Sequence, residues 1–170
     1  MEITREWLEE KGACTEGRKW FLRQNKTDAI DVIRALVADN LWDWANWTIV
    51  RLMSREQYLS YAIFTAEQVI DIFEARYPDD KRPRQAIEAA RVCLQNDTQK
   101  NRKAASAAAS DANAAASDAY AAASAAYAAA YAAAYTAAYA AAAAASAAYA
   151  SIKTKIINYG VQLLEGGEKR

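Results

Sequence analysis

The chain has 170 residues, the length of one domain, and its 21 Lys and Arg side chains equal its 21 Asp and Glu side chains in number. This balance argues neither for nor against a nucleic-acid or membrane partner. The chain contains no histidine, which removes the commonest general base and zinc ligand, and it carries no GxGxxG, GxxxxGK[ST] or GxSxG motif. We therefore predict that the protein is not an enzyme and has no catalytic, cofactor-binding or metal site.

The two cysteines, Cys14 and Cys93, lie far apart and form no CxxC motif. No positively charged segment followed by an apolar segment opens the chain, so no signal peptide is predicted. The chain also lacks a run of about 20 uncharged, large apolar residues that could span a bilayer. We predict a cytoplasmic protein with two free, buried thiols and no membrane partner.

The first part of the chain predicts short helices joined by turns. Only five glycines and two prolines occur, and no segment alternates strictly with β-branched residues, so the predicted fold class is all-α. Gly12 is expected to end the first helix, and Thr27 or Asp28 can cap the third. The expected helices cover residues 3–10, 13–23, a segment after residue 28, and residues 41–53.

A capping box opens the next helix at Ser54. The Ser54 hydroxyl can accept a hydrogen bond from the Gln57 amide, while the Gln57 side chain reaches back to the Ser54 amide. This helix is predicted to continue to residue 75 or 76. Three carboxylates share one of its faces: Glu67, Asp71 and Glu74. They could meet a metal ion, but a solvated or arginine-paired row is favoured.

A loop at residues 77–83 separates this helix from the next one. Pro83 fits the first position of that helix, which is predicted to run to Gln95. Residues 96–98 (Asn-Asp-Thr) then provide a break and a new cap. The basic residues at 99–103 indicate a solvated helix end, so no nucleic-acid partner is predicted.

The segment from Ala104 to Ala150 is about two thirds alanine. Alanine is the best helix former, so this alanine tract is predicted to be helical. We expect a break around residues 110–118, because Ser, Asp and Asn compete for backbone hydrogen bonds and one unbroken helix would overshoot a compact domain. The chain then consists of a helical core domain, residues 1–96, and an alanine-rich helical region, residues 97–170, that is integral to the same domain.

The tyrosines and serines of the alanine tract fall on one face of a helical wheel, within an arc of about 120°. Tyrosine offers rigid contact area with a hydrogen-bonding tip, and serine offers adaptable polarity, as in recognition surfaces. The same face can instead pack inward with only its hydroxyl groups in water. Both alternatives remain open. The candidate partner-binding residues are Tyr120, Tyr127, Tyr131, Tyr135, Tyr139, Tyr149, Ser117 and Ser124.

Three of the five tryptophans, Trp42, Trp44 and Trp47, fall within six residues. On a helix, Trp44 and Trp47 share a face, and Arg51 lies one turn beyond Trp47, where its guanidinium can stack on the indole ring. An aromatic plug in the core is favoured here over a ligand cage.

Three segments of the chain match known sequence motifs. Ala13–Leu22, Trp44–Leu52 and Arg82–Arg91 are similar to the motifs A-C-x-E-G-x-x-W-L, W-x-x-W-L-L-x-R-L and R-P-R-x-A-I-E-x-A-R. In carrying these motifs, the chain resembles the immunity protein family of bacterial polymorphic-toxin systems. The resemblance spans residues 13–150 and implies an all-α cytoplasmic protein that binds and blocks a protein target. The positions of this chain that match the family's marked residues are Glu16, Trp20, Trp47, Arg51, Arg82, Glu88 and Arg91, and we expect most of them to organise the fold. Of these, Glu16 and Arg51 are expected to form a buried ion pair.

The leading hypothesis is a non-enzymatic inhibitor of a bacterial protein. Similar domains also occur among phage genes, so the target is either a toxin or a host defence complex, as in anti-CRISPR inhibition. In the family, Arg and Asp residues are interspersed in this region, whereas the alanine tract of this chain is almost uncharged. This departure is consistent with a partner different from those of other family members. The alternative is a structural protein whose alanine faces associate to form a homo-oligomer.

Overall fold

The computed structural model describes the backbone of residues 1–131 and 135–167, and the side chains of residues 1–115 and 149–166. Throughout these residues the regular secondary structure is helical, apart from an isolated antiparallel bridge between Glu2 and Asp28. The predicted all-α fold class is confirmed. The helices are α1 (Arg5–Glu10), α2 (Thr15–Leu22), α3 (Ala29–Ala38), α4 (Trp42–Leu52), α5 (Arg55–Glu67), α6 (Ile70–Arg76), α7 (Arg82–Gln95), α8 (Gln99–Tyr131) and α9 (Tyr135–Gly167).

The chain forms two compact units. The first consists of Met1–Tyr58 and the C-terminal segment that begins at Ile157, and the second consists of Leu59–Ile156. Helices α1–α4 belong to the first unit, and α6–α8 belong to the second. The domain division expected after residue 96 stays a prediction.

Aliphatic side chains from the N-terminal segment and from α3 and α4 form the core of the first unit. Ile3 and Ile49 are fully buried there. The segment before α1 is held in place because the Ile3 amide donates to the Thr27 carbonyl at 2.7 Å. The Gln57 side chain donates to the Leu163 carbonyl at 2.6 Å, which connects the C-terminal end of α9 to this unit.

Polar side chains cap the helices of the first unit. The Thr4 hydroxyl accepts a hydrogen bond from the Trp7 amide at 3.1 Å. The Asp28 carboxylate accepts from the amides of Ile30 and Asp31, at 3.0 and 3.1 Å. Each bond satisfies an amide that has no partner within the helix. Of the two caps predicted for the third helix, Asp28 is therefore the one that forms.

Two further caps match the predictions. The Ser54 hydroxyl accepts from the Gln57 amide at 3.3 Å, and the Gln57 side chain accepts from the Ser54 amide at 2.8 Å, so the capping box is confirmed. At the start of α8, the Thr98 hydroxyl accepts from the Asn101 amide at 3.2 Å. The predicted break and cap at residues 96–98 are therefore confirmed.

The second unit has a core of its own. Ile63, Ile70 and Ile87 are buried together. Partly buried side chains pack against them: Ala66, Ala90 and Leu94. Helix α7 packs along α8, and Cys93 and Ala115 are almost completely buried, each about 1% exposed. Small side chains such as Ala115 allow the backbones of two helices to come close.

Helices α5 and α6 are separate, so the prediction of one helix from residue 54 to residue 76 is wrong. The Thr65 hydroxyl donates to the Tyr61 carbonyl at 2.8 Å, a type of bond that bends helices. After it, the Gln68 amide is shared between the carbonyls three and four residues back, and the Val69 amide bonds only to the carbonyl three residues back. This tighter turn ends α5 before α6 begins.

Helix α8 is continuous across residues 110–118, so the break predicted there is wrong. The helix extends over 33 residues, a length of about 50 Å at 1.5 Å per residue. Ser110, Asp111 and Asn113 can compete for backbone hydrogen bonds, but alanine occupies most neighbouring positions. The high helix propensity of alanine outweighs that competition.

Candidate functional site

An apolar cleft of about 200 Å³ lies in the first unit. Its walls come from the N-terminal segment, from α1 and the turn after it, and from α2, α3 and α4. Six buried apolar residues line it: Ile3, Leu8, Trp20, Phe21, Val32 and Leu36. The remaining lining residues are buried Thr48 and the exposed or half-buried Gly12, Ala13, Cys14, Gly17, Trp44 and Trp47.

Small residues around the start of α2 leave the space that forms this cleft. Gly12 has a φ of 73°, a left-handed conformation that glycine adopts without strain, and it follows the end of α1. Ala13 and Gly17 come next and contribute almost no side-chain volume. Sequence reasoning missed the cleft, although the small residues beside a conspicuous Trp20 were the signal that could have indicated it.

Tryptophan side chains in and beside the cleft are held by specific contacts. The Trp20 indole N–H donates to Asp39 Oδ2 at 2.7 Å, joining α2 to the end of α3. Trp47 meets Trp7 edge to face, with ring centroids 6.1 Å apart. The Arg51 guanidinium lies 3.9 Å from the centroid of the Trp47 ring, so the predicted stacking is confirmed.

Two expectations about the first unit are wrong. Glu16 and Arg51 are both exposed, so they do not form a buried ion pair, and Arg51 stacks within its own helix instead. Cys14 is exposed, whereas Cys93 is buried as expected. Cys14 caps α2, and its sulfur accepts a hydrogen bond from the Gly17 amide at 3.3 Å. This capping position keeps the Cys14 side chain at the surface.

Arginines of α7 pair with the row of carboxylates in the second unit. Glu74 accepts two hydrogen bonds from Arg84, at 2.5 and 2.6 Å, and Asp71 lies 3.6 Å from the same guanidinium. Glu67 accepts from Arg91. The arginine-paired alternative is therefore confirmed. Within the described residues, no three acidic or cysteine side chains are arranged to hold a metal ion.

The arginines also lower the pKa values of carboxylates that they contact. Hydrogen bonds from Arg84 lower the pKa of Glu74, and hydrogen bonds from Arg82 lower the pKa of Asp80. The bond to Glu74 in turn raises the pKa of Arg84. Arg82 binds Asp80 in a bidentate manner, at 2.9 and 2.7 Å, in the turn before α7. These ion pairs join α7 to α5, α6 and the preceding loop, which is a structural role.

The sequence model of a protein family described as Imm-5 like putative immunity protein matches residues 48–165. The chain belongs to this family. The predicted relationship to immunity proteins is therefore confirmed. No curated protein and no solved structure matches the chain. Membership in an immunity family implies that the chain binds a partner protein. In the described ranges, no helix combines the length and apolar character that crossing a membrane requires.

The family match covers the end of α4, all of α5–α8 and most of α9, but only Thr48 among the residues that line the cleft. Of the family-motif positions predicted from the sequence, it includes Arg51 and the three positions in α7. Arg82 and Arg91 form the ion pairs described above, and Glu88 is exposed.

All the candidate partner-binding residues lie within the family match. Tyr149 is 61% exposed, and the Lys153 ammonium lies 4.6 Å from the centroid of its ring. The side chains of the other candidates lie outside the described residues: Tyr120, Tyr127, Tyr131, Tyr135, Tyr139, Ser117 and Ser124. Their assignment to a partner surface stays a prediction.

Proposed function

We propose that the protein is a non-enzymatic immunity protein that binds a bacterial toxin and blocks its activity. The observation that carries this proposal is the family match over residues 48–165, about two thirds of the chain. The matched segment includes the alanine tract, whose side chains offer contact area and hydroxyl groups but few groups for acid–base chemistry. Inhibition by occupying a surface of the toxin fits this composition.

The face of the alanine tract that carries its tyrosines is the proposed binding surface. Tyr149, the one candidate with a described side chain, is exposed and therefore available for contact. Its neighbour Lys153 places a positive charge over the ring, which orients the ring without covering it fully. A helix holds such tyrosines at regular spacing, so little conformational entropy is lost when they bind.

The loss of affinity expected when these tyrosines are replaced follows from how binding free energy is distributed over an interface. A few residues carry most of the binding free energy, and tyrosine is enriched among them. Four tyrosines lie in the middle of this face: Tyr127, Tyr131, Tyr135 and Tyr139. If two of them contribute about 2 kcal/mol each to binding, replacing all four by alanine weakens binding by about 1000-fold.

The first experiment captures the partner from bacterial lysates with the tagged protein and identifies it by mass spectrometry. The partner, expressed alone, should arrest growth, and co-expression with this protein should restore it. A partner that is not toxic, such as a defence complex, would contradict the toxin proposal.

Calorimetry then tests the surface. A variant with Tyr127, Tyr131, Tyr135 and Tyr139 replaced by alanine should lose affinity for the purified partner while keeping its helical circular dichroism. Replacement of the same four residues by phenylalanine keeps the contact area and measures the hydroxyl groups alone. Tyr58→Ala, at a tyrosine 46% exposed in the first unit, is the matched control and should bind normally. Unchanged affinity in the four-alanine variant would refute the proposal that this face binds the partner.

Sedimentation of the free protein tests the structural alternative. Self-association through alanine faces requires oligomers at high micromolar concentration, whereas an inhibitor needs none. Dimers that persist in the four-alanine variant and do not bind a toxin would favour the structural alternative.

A further inference from the structure

The cleft in the first unit has the size of a binding site for a small molecule. Its volume is about 200 Å³. An engineered apolar cavity of about 150 Å³ in another protein stays dry and binds benzene. The cleft of this protein therefore has room for one six-membered ring with a short substituent.

The cleft disfavours ligands that carry a charge. None of its lining residues carries a charged side chain. The Thr48 hydroxyl already donates to the Trp44 carbonyl at 2.8 Å, so it is engaged within α4. The positive guanidinium of Arg51 stacks on Trp47, which makes a second cation beside that ring unfavourable. An ionised ligand would lose its hydration here without gaining a partner.

The shape of the cleft joins a buried floor to an accessible rim. Trp20 and Phe21 are less than a tenth exposed, whereas Cys14 at the rim is exposed and Trp44 is half-buried. A ligand can therefore enter from solvent and bury its apolar surface against aromatic rings, which is the usual arrangement of small-molecule sites.

We propose that this cleft binds a small uncharged molecule, aromatic or aliphatic, of about one ring in size. The site is independent of the proposed toxin surface, since its residues lie almost entirely before the segment that matches the immunity family. It is thus a second binding function, and its test needs only the purified protein.

Toluene is a suitable probe, with benzylammonium and benzoate as charged molecules of the same ring size. In ¹H–¹⁵N spectra of the full chain, toluene should produce saturable shifts of the indole signals of Trp20, Trp44 and Trp47. The indole of Trp42, which does not line the cleft, should shift least. Equal shifts with the charged molecules, or no saturable shift with toluene, would overturn the proposal.

Cys14 supplies an independent readout. Bound toluene should slow alkylation of Cys14 by iodoacetamide several-fold, and the charged molecules should not. Buried Cys93 provides the internal control, because its slow reaction should not depend on the probe. An alkylation rate of Cys14 that toluene does not change would also contradict binding in the cleft.

A substitution that fills the cleft with a large side chain tests the site directly. Ala13→Phe places a ring at a half-buried lining position and should abolish both the indole shifts and the protection of Cys14. Ala62→Phe adds the same ring at an exposed position of α5 and should leave both unchanged. If Ala13→Phe does not fold, the Cys14 protection in the unmodified protein still decides the question. Retained toluene binding in a folded Ala13→Phe protein would place the site elsewhere.

Discussion

Replacing Trp20 with phenylalanine removes the hydrogen bond that joins α2 to the end of α3. The indole N–H donates to Asp39 Oδ2 at 2.7 Å, and phenylalanine has no donor. Trp20 is only 7% exposed, so its ring also supports the wall of the cleft. The substitution therefore combines a lost hydrogen bond with a lost volume, and a double-mutant cycle with Asp39→Ala separates the two.

The magnitude follows from the exposure of the acceptor. A hydrogen bond to a charged group contributes about 1.5–3 kcal/mol to stability. Asp39 is exposed, and water replaces part of the bond when the donor is removed, so we expect the lower end. The coupling free energy between Trp20 and Asp39 should be about 1.5 kcal/mol. Each kcal/mol corresponds to roughly 2–4 °C in Tm for a chain of this size.

Urea unfolding followed by tryptophan fluorescence measures this coupling. All five tryptophans precede Tyr58, so the signal reports on the first unit specifically. Asp31→Ala is the matched control, because this exposed α3 carboxylate lies near Arg34, whereas the Trp20 indole donates to Asp39, so its effect should add to that of Trp20→Phe. A Trp20–Asp39 coupling below about 0.3 kcal/mol would refute the reasoning, since independent sites show values of that size.

Three further substitutions test other parts of the fold by urea unfolding, followed by circular dichroism so that helices of both units contribute to the signal. Ile49→Ala, at a fully buried side chain, should cost about 3 kcal/mol, and a cost under about 1 kcal/mol would contradict its place in the core. Ser54→Ala removes one half of the capping box and should cost about 1 kcal/mol, whereas Ser54→Asp, which keeps an acceptor, should cost less. Arg84→Met should destabilise at pH 7. Arg84 lowers the pKa of Glu74 in the folded protein, so the ion pair stabilises the fold only while Glu74 is ionised. The difference in unfolding free energy between the unmodified protein and Arg84→Met is therefore present above the ordinary Glu pKa of 4.5 and should shrink as pH falls below it. If the difference in unfolding free energy stays constant down to pH 3, Glu74 is not the partner through which Arg84 stabilises the fold.

Features that depend on neighbouring residues could be predicted from the sequence alone. The caps at Asp28, Ser54 and Thr98 each need a donor two or three positions along, and the Trp47–Arg51 contact needs one helical turn. Such contacts form whenever the local helix forms, so residue type and spacing predict them. The all-α class follows for the same reason, from the periodicity and from the alanine tract.

Contacts between residues that are distant along the chain could not be predicted without the three-dimensional structure. Sequence reasoning did not find the bond between Trp20 and Asp39, and it placed Glu16 opposite Arg51 in a buried pair that does not form. The cleft was missed because a cavity depends on how several segments pack, which no local pattern encodes. Close packing of separate helices sets these contacts, and a shift of one helical turn would exchange every partner across the interface.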